Sequence, residues 1–428
     1  MAVKRGLTAT IVLLAMVFLG GCAQAPSQSE LHLVRVPQDA TLAEAGSLVA
    51  DGGIILIGPG TYQESLEVTG DDITVRGQDR NEVILDGELT RSNGVIATGA
   101  RVTVENLTVR NFLQSGVLIT GTSGVDGTGI ARGPDGYLPE NTPPPVPGYL
   151  VQAVTASNNG LYGIYSFNRT GGIIRDNIAT GGSDSGIYVG QCVDCNAVVT
   201  DNILMDNAVG LEFANASSVA VHGNRIVDNR VGISVLSNYL EAHGPTKSVV
   251  IAGNLIADNN ETQTPVQADG GFGIGIGLGG TVDALVRANT ISSNSGVGIW
   301  ITSSEDFSPV GNHVVDNNFS DNALDLAYTP TTPLGHQGNC FELSPHATTQ
   351  PDNLVQAGCQ DPLPVGTYVS PPAPNGIMFS QVPLPNPRAG LATVDDQPRV
   401  LPDRIELPDL STVTPPGRDL LIKERPIG

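Results

Sequence analysis

Asn202-Ile203-Leu204-Met205-Asp206-Asn207, with Gly210-Leu211-Glu212-Phe213 close behind, is a phrase that this chain repeats. The first half, Asn-x-aliphatic-x-x-Asn, returns from Asn224 to Asn229, Asn254 to Asn259, Asn289 to Asn294 and Asn312 to Asn317. The second half returns as Gly163-Ile164-Tyr165-Ser166, Gly186-Ile187-Tyr188-Val189, Gly232-Ile233-Ser234-Val235, Gly273-Ile274-Gly275-Ile276 and Gly298-Ile299-Trp300-Ile301. From Asn177 the leading Asn residues are 25, 22, 30, 35 and 23 positions apart. Self-similarity at that period, in short segments that alternate apolar and polar, is one solenoid turn of strands, with two turns carrying insertions.

These features predict an all-β chain, a right-handed single-stranded parallel β-helix. No segment is long enough to stand alone, but stacked turns bury one tube of Ile, Val and Leu. Each buried side chain contributes roughly 1.5–3 kcal/mol, which offsets the ordering of a turn only when neighbouring turns are present. Asn and Gly tolerate the left-handed backbone of sharp corners. Stacked Asn side chains can also hydrogen-bond from turn to turn. With 52 Gly, 30 Pro and no 3.6-residue period, helical repeats are excluded. Only 4% of residues are aromatic, which suits a narrow tube filled by aliphatics.

The formal net charge of −22 disfavours nucleic acid and anionic membrane surfaces as partners. Lys4 and Arg5, an apolar run from Leu7 to Leu19 and then Gly20-Gly21-Cys22 have the order of an export signal. Leu19-Gly20-Gly21-Cys22 resembles the lipobox of bacterial lipoproteins. That implies cleavage before Cys22, lipidation of its thiol and a mature protein tethered outside the cytoplasm, in the periplasm or at the cell surface. Export permits disulfides. Joining Cys340 to Cys359 would close a loop of about twenty residues, worth roughly 3 kcal/mol in the chain-entropy model. Cys192-Val193-Asp194-Cys195 lacks a second ligand pair for zinc and reads as a local disulfide or two free thiols.

Along the chain, residues 1–21 read as a lipoprotein signal peptide and 22–35 as a tether. Residues 36–330 read as the β-helix, with an amphipathic capping helix at 41–50. Residues 121–148 leave one corner as a long excursion. Residues 331–360 form a capping loop, and the Pro-rich tail 361–428 is either extended along the outside or disordered. Insertions at 237–247 and 260–270 flank the Gly-Ile-x-Val strands and could wall a groove.

The runs Ser183-Asp184-Ser185-Gly186-Ile187-Tyr188-Val189 and Asn207-Ala208-Val209-Gly210-Leu211-Glu212-Phe213 resemble a bacterial family of exported parallel β-helix repeat proteins. Gly58-Pro59-Gly60-Thr61-Tyr62 is similar to the first-turn signature of the pectate-lyase-like superfamily. The resemblance spans about residues 40–345. It implies the fold, a secreted or lipoprotein setting and a functional link with an exported haem c protein. It implies no set activity, because the superfamily holds pectate lyases, polygalacturonases, alginate epimerases and phage tailspikes. The polygalacturonase and epimerase motifs are missing, and the six His and four Met are too scattered for copper handling.

In each Gly-Ile-x-Val strand the x position points outward. Aligned in this way, the outward column reads Tyr165, Tyr188, Glu212, Ser234, Gly275, Trp300 and Asp325. Aromatic rings beside carboxylates suit a sugar, whose C–H faces pack on rings while its hydroxyls meet acids. Packing between exposed strands would account for the same rings without a ligand. Asp184 also points outward, one turn from Glu212. At about 4.8 Å per turn and 3.3 Å per residue, the two lie roughly 8 Å apart, with Arg230 on the next turn. That spacing suits an inverting hydrolase, or a calcium site of a lyase with Arg230 as base or charge clamp.

The sequence therefore directs attention to a lipid-anchored carbohydrate-binding protein. A polysaccharide lyase, hydrolase or epimerase is the first alternative, and a scaffold for an exported c-type cytochrome the second. No resident cofactor is required. Cys22→Ser is expected to move the protein from the membrane into the soluble exported fraction; retention of the variant in membranes would eliminate the lipid anchor.

Overall fold

The computed structural model describes residues 31–122, 142–268, 270–331, 337–424 and 427–428. The signal segment, Cys22 and residues 123–141 of the excursion lie outside them. The chain coils as a right-handed parallel β-helix with three faces. Among the described residues, sheet A stacks twelve strands, from Leu31–Val36 to Cys340–Glu342. Sheet B stacks ten, from Gly60–Tyr62 to Asn318–Ser320, and sheet C eleven, from Leu66–Val68 to Thr349–Gln350.

One turn shows how the sequence makes the coil. Ala197–Thr200 lies in sheet A, Ile203–Met205 in sheet B and Val209–Ala216 in sheet C. Val199, Leu204, Leu211 and Phe213 point into the tube and are fully buried. Between strands the backbone must turn sharply, and the residue just before each corner Asn does so. Asp176, Asp201, Asp206, Asp228, Asp258, Asp316 and Asp321 hold φ of 55–57°, and Gly223, Gly253 and Gly311 replace Asp in other turns. The left-handed position thus belongs to the neighbour of the repeated Asn rather than to the Asn itself.

The Asn side chains point inward and form two ladders. At the A–B corner, Nδ2 of Asn177, Asn202, Asn224, Asn254 and Asn289 donates to Oδ1 of Asn202, Asn224, Asn254, Asn289 and Asn317 in turn, at 2.9–3.0 Å. At the B–C corner, Asn207, Asn229, Asn259, Asn294 and Asn322 repeat the pattern. The rung after Asn289 is therefore Asn317. Asn312 starts a sheet A strand and pairs with Asn339 at the C–A corner. The repeated phrase can be read one face out of step because both Asn312-to-Asn317 and Asn317-to-Asn322 fit its five-residue spacing.

At the N-terminal end, residues 31–36, read partly as tether, form the first strand of sheet A. The capping helix Leu42–Leu48 opens with a capping box, Glu44 N donating to Thr41 Oγ1 and Thr41 N to Glu44 Oε2. Gly46 lets it press on sheet C, since a Cβ there would meet the Glu67 carbonyl oxygen at 1.7 Å. At the other end, strands Cys340–Glu342 and Thr349–Gln350 add rungs inside the region read as a loop. The Cys340–Cys359 disulfide ties them to the helix Leu354–Ala357. No described helix is long and apolar enough to cross a membrane.

The Pro-rich tail runs along the outside of the tube and back. It passes Trp300 at Tyr368 and meets Arg230 at Pro374 and Asn375, Asn158 at Phe379 and Val382, and Arg76 at Asp395. It then returns through Arg399, which pairs at 2.9 Å with the fully buried Glu105, to Leu410 and Arg418. Glu105 is also held by Arg76 at 2.6 Å, so the strap is clamped to sheet A by buried charge.

Asn224→Ala is expected to destabilise the protein by about 2–5 kcal/mol. It strips the Asn202 amides of their acceptor and the Val199 carbonyl of a donor, all inside the tube. Denaturant unfolding measures this, and a loss below about 1 kcal/mol would show the ladder to be incidental.

Candidate functional site

The A–B corner is tight in every described turn from Asp176 onward, whereas the insertions leave at the two corners beside sheet C. One follows strand Val231–Leu236, one precedes Ile274–Gly279 and one follows Val297–Thr302. They build walls along the outer face of sheet C. Strand register sets the outward column there as Tyr165, Tyr188, Glu212, Ser234, Gly277, Trp300 and Ala327. Two expected members are displaced. Gly277 takes the place assigned to Gly275, because Ile274-Gly275-Ile276 aligns with Val231-Gly232-Ile233. Asp325 lies two positions before the column, where it accepts from Thr348 N at 2.9 Å and Asn322 Nδ2 at 3.0 Å, closing the end of a ladder.

At one end of the column lies a bowl of rings and acids. Tyr165 stacks on Tyr188 with centroids 4.7 Å apart, and Tyr162 packs on both. Tyr162 Oη donates to Asp184 Oδ2 at 3.1 Å, and Tyr188 Oη donates to Glu241 of the first insertion. Gln267 of the second insertion reaches over the acids, its Nε2 donating to Asp184 Oδ1 at 3.0 Å and Glu212 Oε2 at 3.1 Å. Far from being exposed, Tyr188 and Glu212 are 3% and 7% accessible under these loops. Burial pushes the Tyr162 and Tyr188 phenols well above their ordinary range. Asp184 adds to this first for Tyr162 and Glu241 first for Tyr188. Both phenols therefore stay protonated and act as donors.

Beyond the bowl the floor drops to Ser234 and Gly277, and a cavity of about 370 Å³ opens between Gln267, Gly271, Trp300 and Pro371. A Cβ at Gly277 would meet nothing nearer than the Ile233 carbonyl oxygen at 3.9 Å, so the floor is open. Trp300 forms the far end. Its Nε1 donates to Thr329 Oγ1 at 2.8 Å and its ring meets Tyr368 of the tail edge-on at 5.2 Å.

Arg230 has a different role from the expected base or charge clamp. It is 1% exposed, and its guanidinium donates to Thr264 Oγ1 and to the carbonyls of Thr262, Thr264, Pro374 and Asn375. It staples the second insertion and the tail to the tube. The acid pair is closer than the expected 8 Å: both oxygens bond one nitrogen, so they are separated by at most the two bonds end to end, about 6 Å. The inverting spacing does not apply to these oxygens. Among the described residues the one acid-and-thiol group close enough to hold a metal is Cys340, Glu342 and Cys359, whose sulfurs are joined to each other. Cys192 and Cys195 are also disulfide-bonded, buried at the C–A corner.

Sequence reasoning missed Tyr162, Gln267, Glu241 and Tyr368. Tyr162 could have been found, since it precedes Gly163 as Ser185 precedes Gly186. The others sit in aperiodic loops and the tail, where no repeat marks their direction.

A family model described as "Right handed beta helix region" matches residues 90–239 and 146–319. Among solved structures, the chain is similar to the A-module of Azotobacter vinelandii mannuronan C-5 epimerase AlgE4, at 14% identity and TM-score 0.43, over 66% of this chain and 90% of that one. It is also similar to pectate lyase Pel9A, at 15% and 0.41, over 76% and 78%. A third is the catalytic unit of a GH87 alpha-1,3-glucanase from Streptomyces thermodiastaticus strain HF3-3, at 13% and 0.43, over 72% and 66%. No curated protein matches the sequence. Likeness at this level says nothing about chemistry in the groove.

Because the bowl raises its phenol pKa values, unfolding lets Tyr162 and Tyr188 ionise near pH 10 while the folded chain keeps them neutral. Their contribution to stability is complete below pH 10 and falls as pH rises beyond it. Tyr188→Phe is expected to flatten that alkaline loss, read from unfolding free energies between neutral and alkaline pH. An unchanged slope would mean that the phenol is not buried.

Proposed function

We propose that this chain, which belongs to the right-handed parallel β-helix family, is an exported, lipid-tethered protein whose sheet C groove binds a carbohydrate chain without cleaving it. The observation that carries the reading is the groove itself. Its floor is open at Ser234 and Gly277, a tryptophan stands at one end, and acid acceptors with phenol donors stand at the other. From Glu212 to Trp300 is three rungs, roughly 14 Å at about 4.8 Å per rung, the length of two or three pyranose rings. Sugar C–H faces pack on the indole and hydroxyls bond the acids.

Retention is favoured over lyase or epimerase chemistry by electrostatics. Those reactions need a base and a cation beside a uronate carboxylate. Here the phenols are held protonated, Arg230 is committed to carbonyls, and among the described residues no Arg or Lys lines the cavity. Hydrolysis is the second reading, because two carboxylates within about 6 Å approach the spacing of a retaining pair.

A glycan array with the soluble domain tests the reading. Gly277→Phe should fill the groove and Trp300→Ala should remove its end, each abolishing binding. Both variants should stay folded, since neither residue lies inside the tube, with Trp300→Ala costing roughly 1–3 kcal/mol for the lost bond to Thr329 and packing on Tyr368. New reducing ends that vanish in Glu212→Gln would make the protein a hydrolase. Absence of any glycan signal would leave the scaffold role, with an exported haem c protein as partner.

A further inference from the structure

The cavity over Ser234 and Gly277 is uncharged, although the chain carries a net charge of −22. Among the described residues no Asp, Glu, Arg, Lys or His lines it. Its lining is largely aliphatic, with Val231, Leu236 and Ile274 from sheet C and Pro371 from the tail beside Trp300. Val231 and Ile274 pair on adjacent strands and belong to an outer cluster with Trp300 and Tyr368, apart from the core of the tube. The polar side chains there are mostly committed. Trp300 Nε1 donates to Thr329 Oγ1 at 2.8 Å and Thr302 Oγ1 to the Thr329 carbonyl oxygen at 3.0 Å, while Gln267 Nε2 donates to Asp184 and Glu212. That leaves the hydroxyls of Ser234 and of Ser370, the latter 3.5 Å from the Pro371 carbonyl oxygen.

We propose that this cavity receives a 6-deoxyhexose unit of the bound chain, with the methyl group at C6 against Leu236, Ile274 and Pro371 and a C–H face of the ring on Trp300. The inference rests on the carbohydrate reading of the groove and names its ligand class. Sugars differ at C6, which carries a carboxylate in uronates, a hydroxymethyl in ordinary hexoses and a methyl in 6-deoxyhexoses. A carboxylate would leave water for a lining without a cation. A hydroxymethyl group would give up its hydration with few side-chain partners to replace it. A methyl group asks for no partner and gains by leaving water. An acetamido group brings a carbonyl and an N–H that both need partners, so it suits the lining less well. The volume of about 370 Å³ lies in the range of small-ligand sites, and the open position at Gly277 leaves room for a ring.

Trp300 is the single tryptophan of the chain, so its fluorescence reports on this cavity. The test titrates the soluble chain with methyl glycosides in matched pairs: 6-deoxyglucose against glucose, fucose against galactose, and rhamnose against mannose, each pair in one enantiomeric series. The deoxy member of at least one pair is expected to bind roughly tenfold tighter than its twin, the discrimination that one small group supplies in an apolar pocket. Leu236→Ser and Pro371→Ser should each lower that ratio to about threefold or less. The second change lies in the tail, where the tube is untouched, and melting curves check that both variants are folded. Pairs that bind alike, or that leave Trp300 emission unchanged while a glycan array does find a ligand, overturn the deoxy-sugar inference and leave the groove reading standing. So do array ligands that contain fully hydroxylated sugars alone, and so does a ratio that neither substitution lowers. If no glycan binds at all, the groove reading fails and the deoxy-sugar inference fails with it.

Discussion

The buried asparagine amide, saturated only by the next turn, is the interaction on which the rest of this molecule depends. Each ladder Oδ1 accepts both the backbone N–H and the Nδ2 of the turn before, as Asn224 does for Asn202 at 3.0 and 2.9 Å. Each Nδ2 donates onward and back to a carbonyl of the turn before, as Asn224 does to Val199. A slip of one residue would leave several buried donors and acceptors unpaired at every rung, so the register is locked far more tightly than aliphatic packing alone could lock it. Hydrophobic burial drives the coil together. The amides decide where each turn stops.

That register is what gives sheet C a usable face. With the A–B corner tight and the B–C ladder continuous, length variation is pushed to the edges of sheet C, where loops can leave without breaking a rung. Aromatic and acidic residues on successive turns are then held about 4.8 Å apart in a straight column. A rigid column of this kind positions side chains better than loops could, and the loops only close over it.

Buried charge performs the closing. Arg230 and the Arg76–Glu105–Arg399 cluster each lie where a guanidinium can be matched by carbonyls or a carboxylate from a remote segment. An uncompensated charge in such places would cost several kcal/mol, so insertion, tail and tube are bound together as a unit. The tail thus becomes a wall of the groove, bringing Tyr368 and Pro371 beside Trp300.

The repeat by itself determined the coil, its parallel strands, the inward aliphatics, the capping helix, and Tyr165, Tyr188, Glu212 and Trp300 on one outward column. Those follow from period and alternation, which act locally. Periodicity could not choose between two phrases with the same spacing, and so Asn312 falls one corner away from the ladder that its spacing continues, and Gly275 and Asp325 fall two positions before the column. It was equally silent on Gln267, Glu241 and Tyr368, and on Arg230 being a staple. Their positions are set by partners tens or hundreds of residues away, such as the Pro374 carbonyl that takes the Arg230 guanidinium. Only the folded chain decides such pairings, because the loops that make them have no repeat to point their side chains and take their direction from the buried groups they must satisfy.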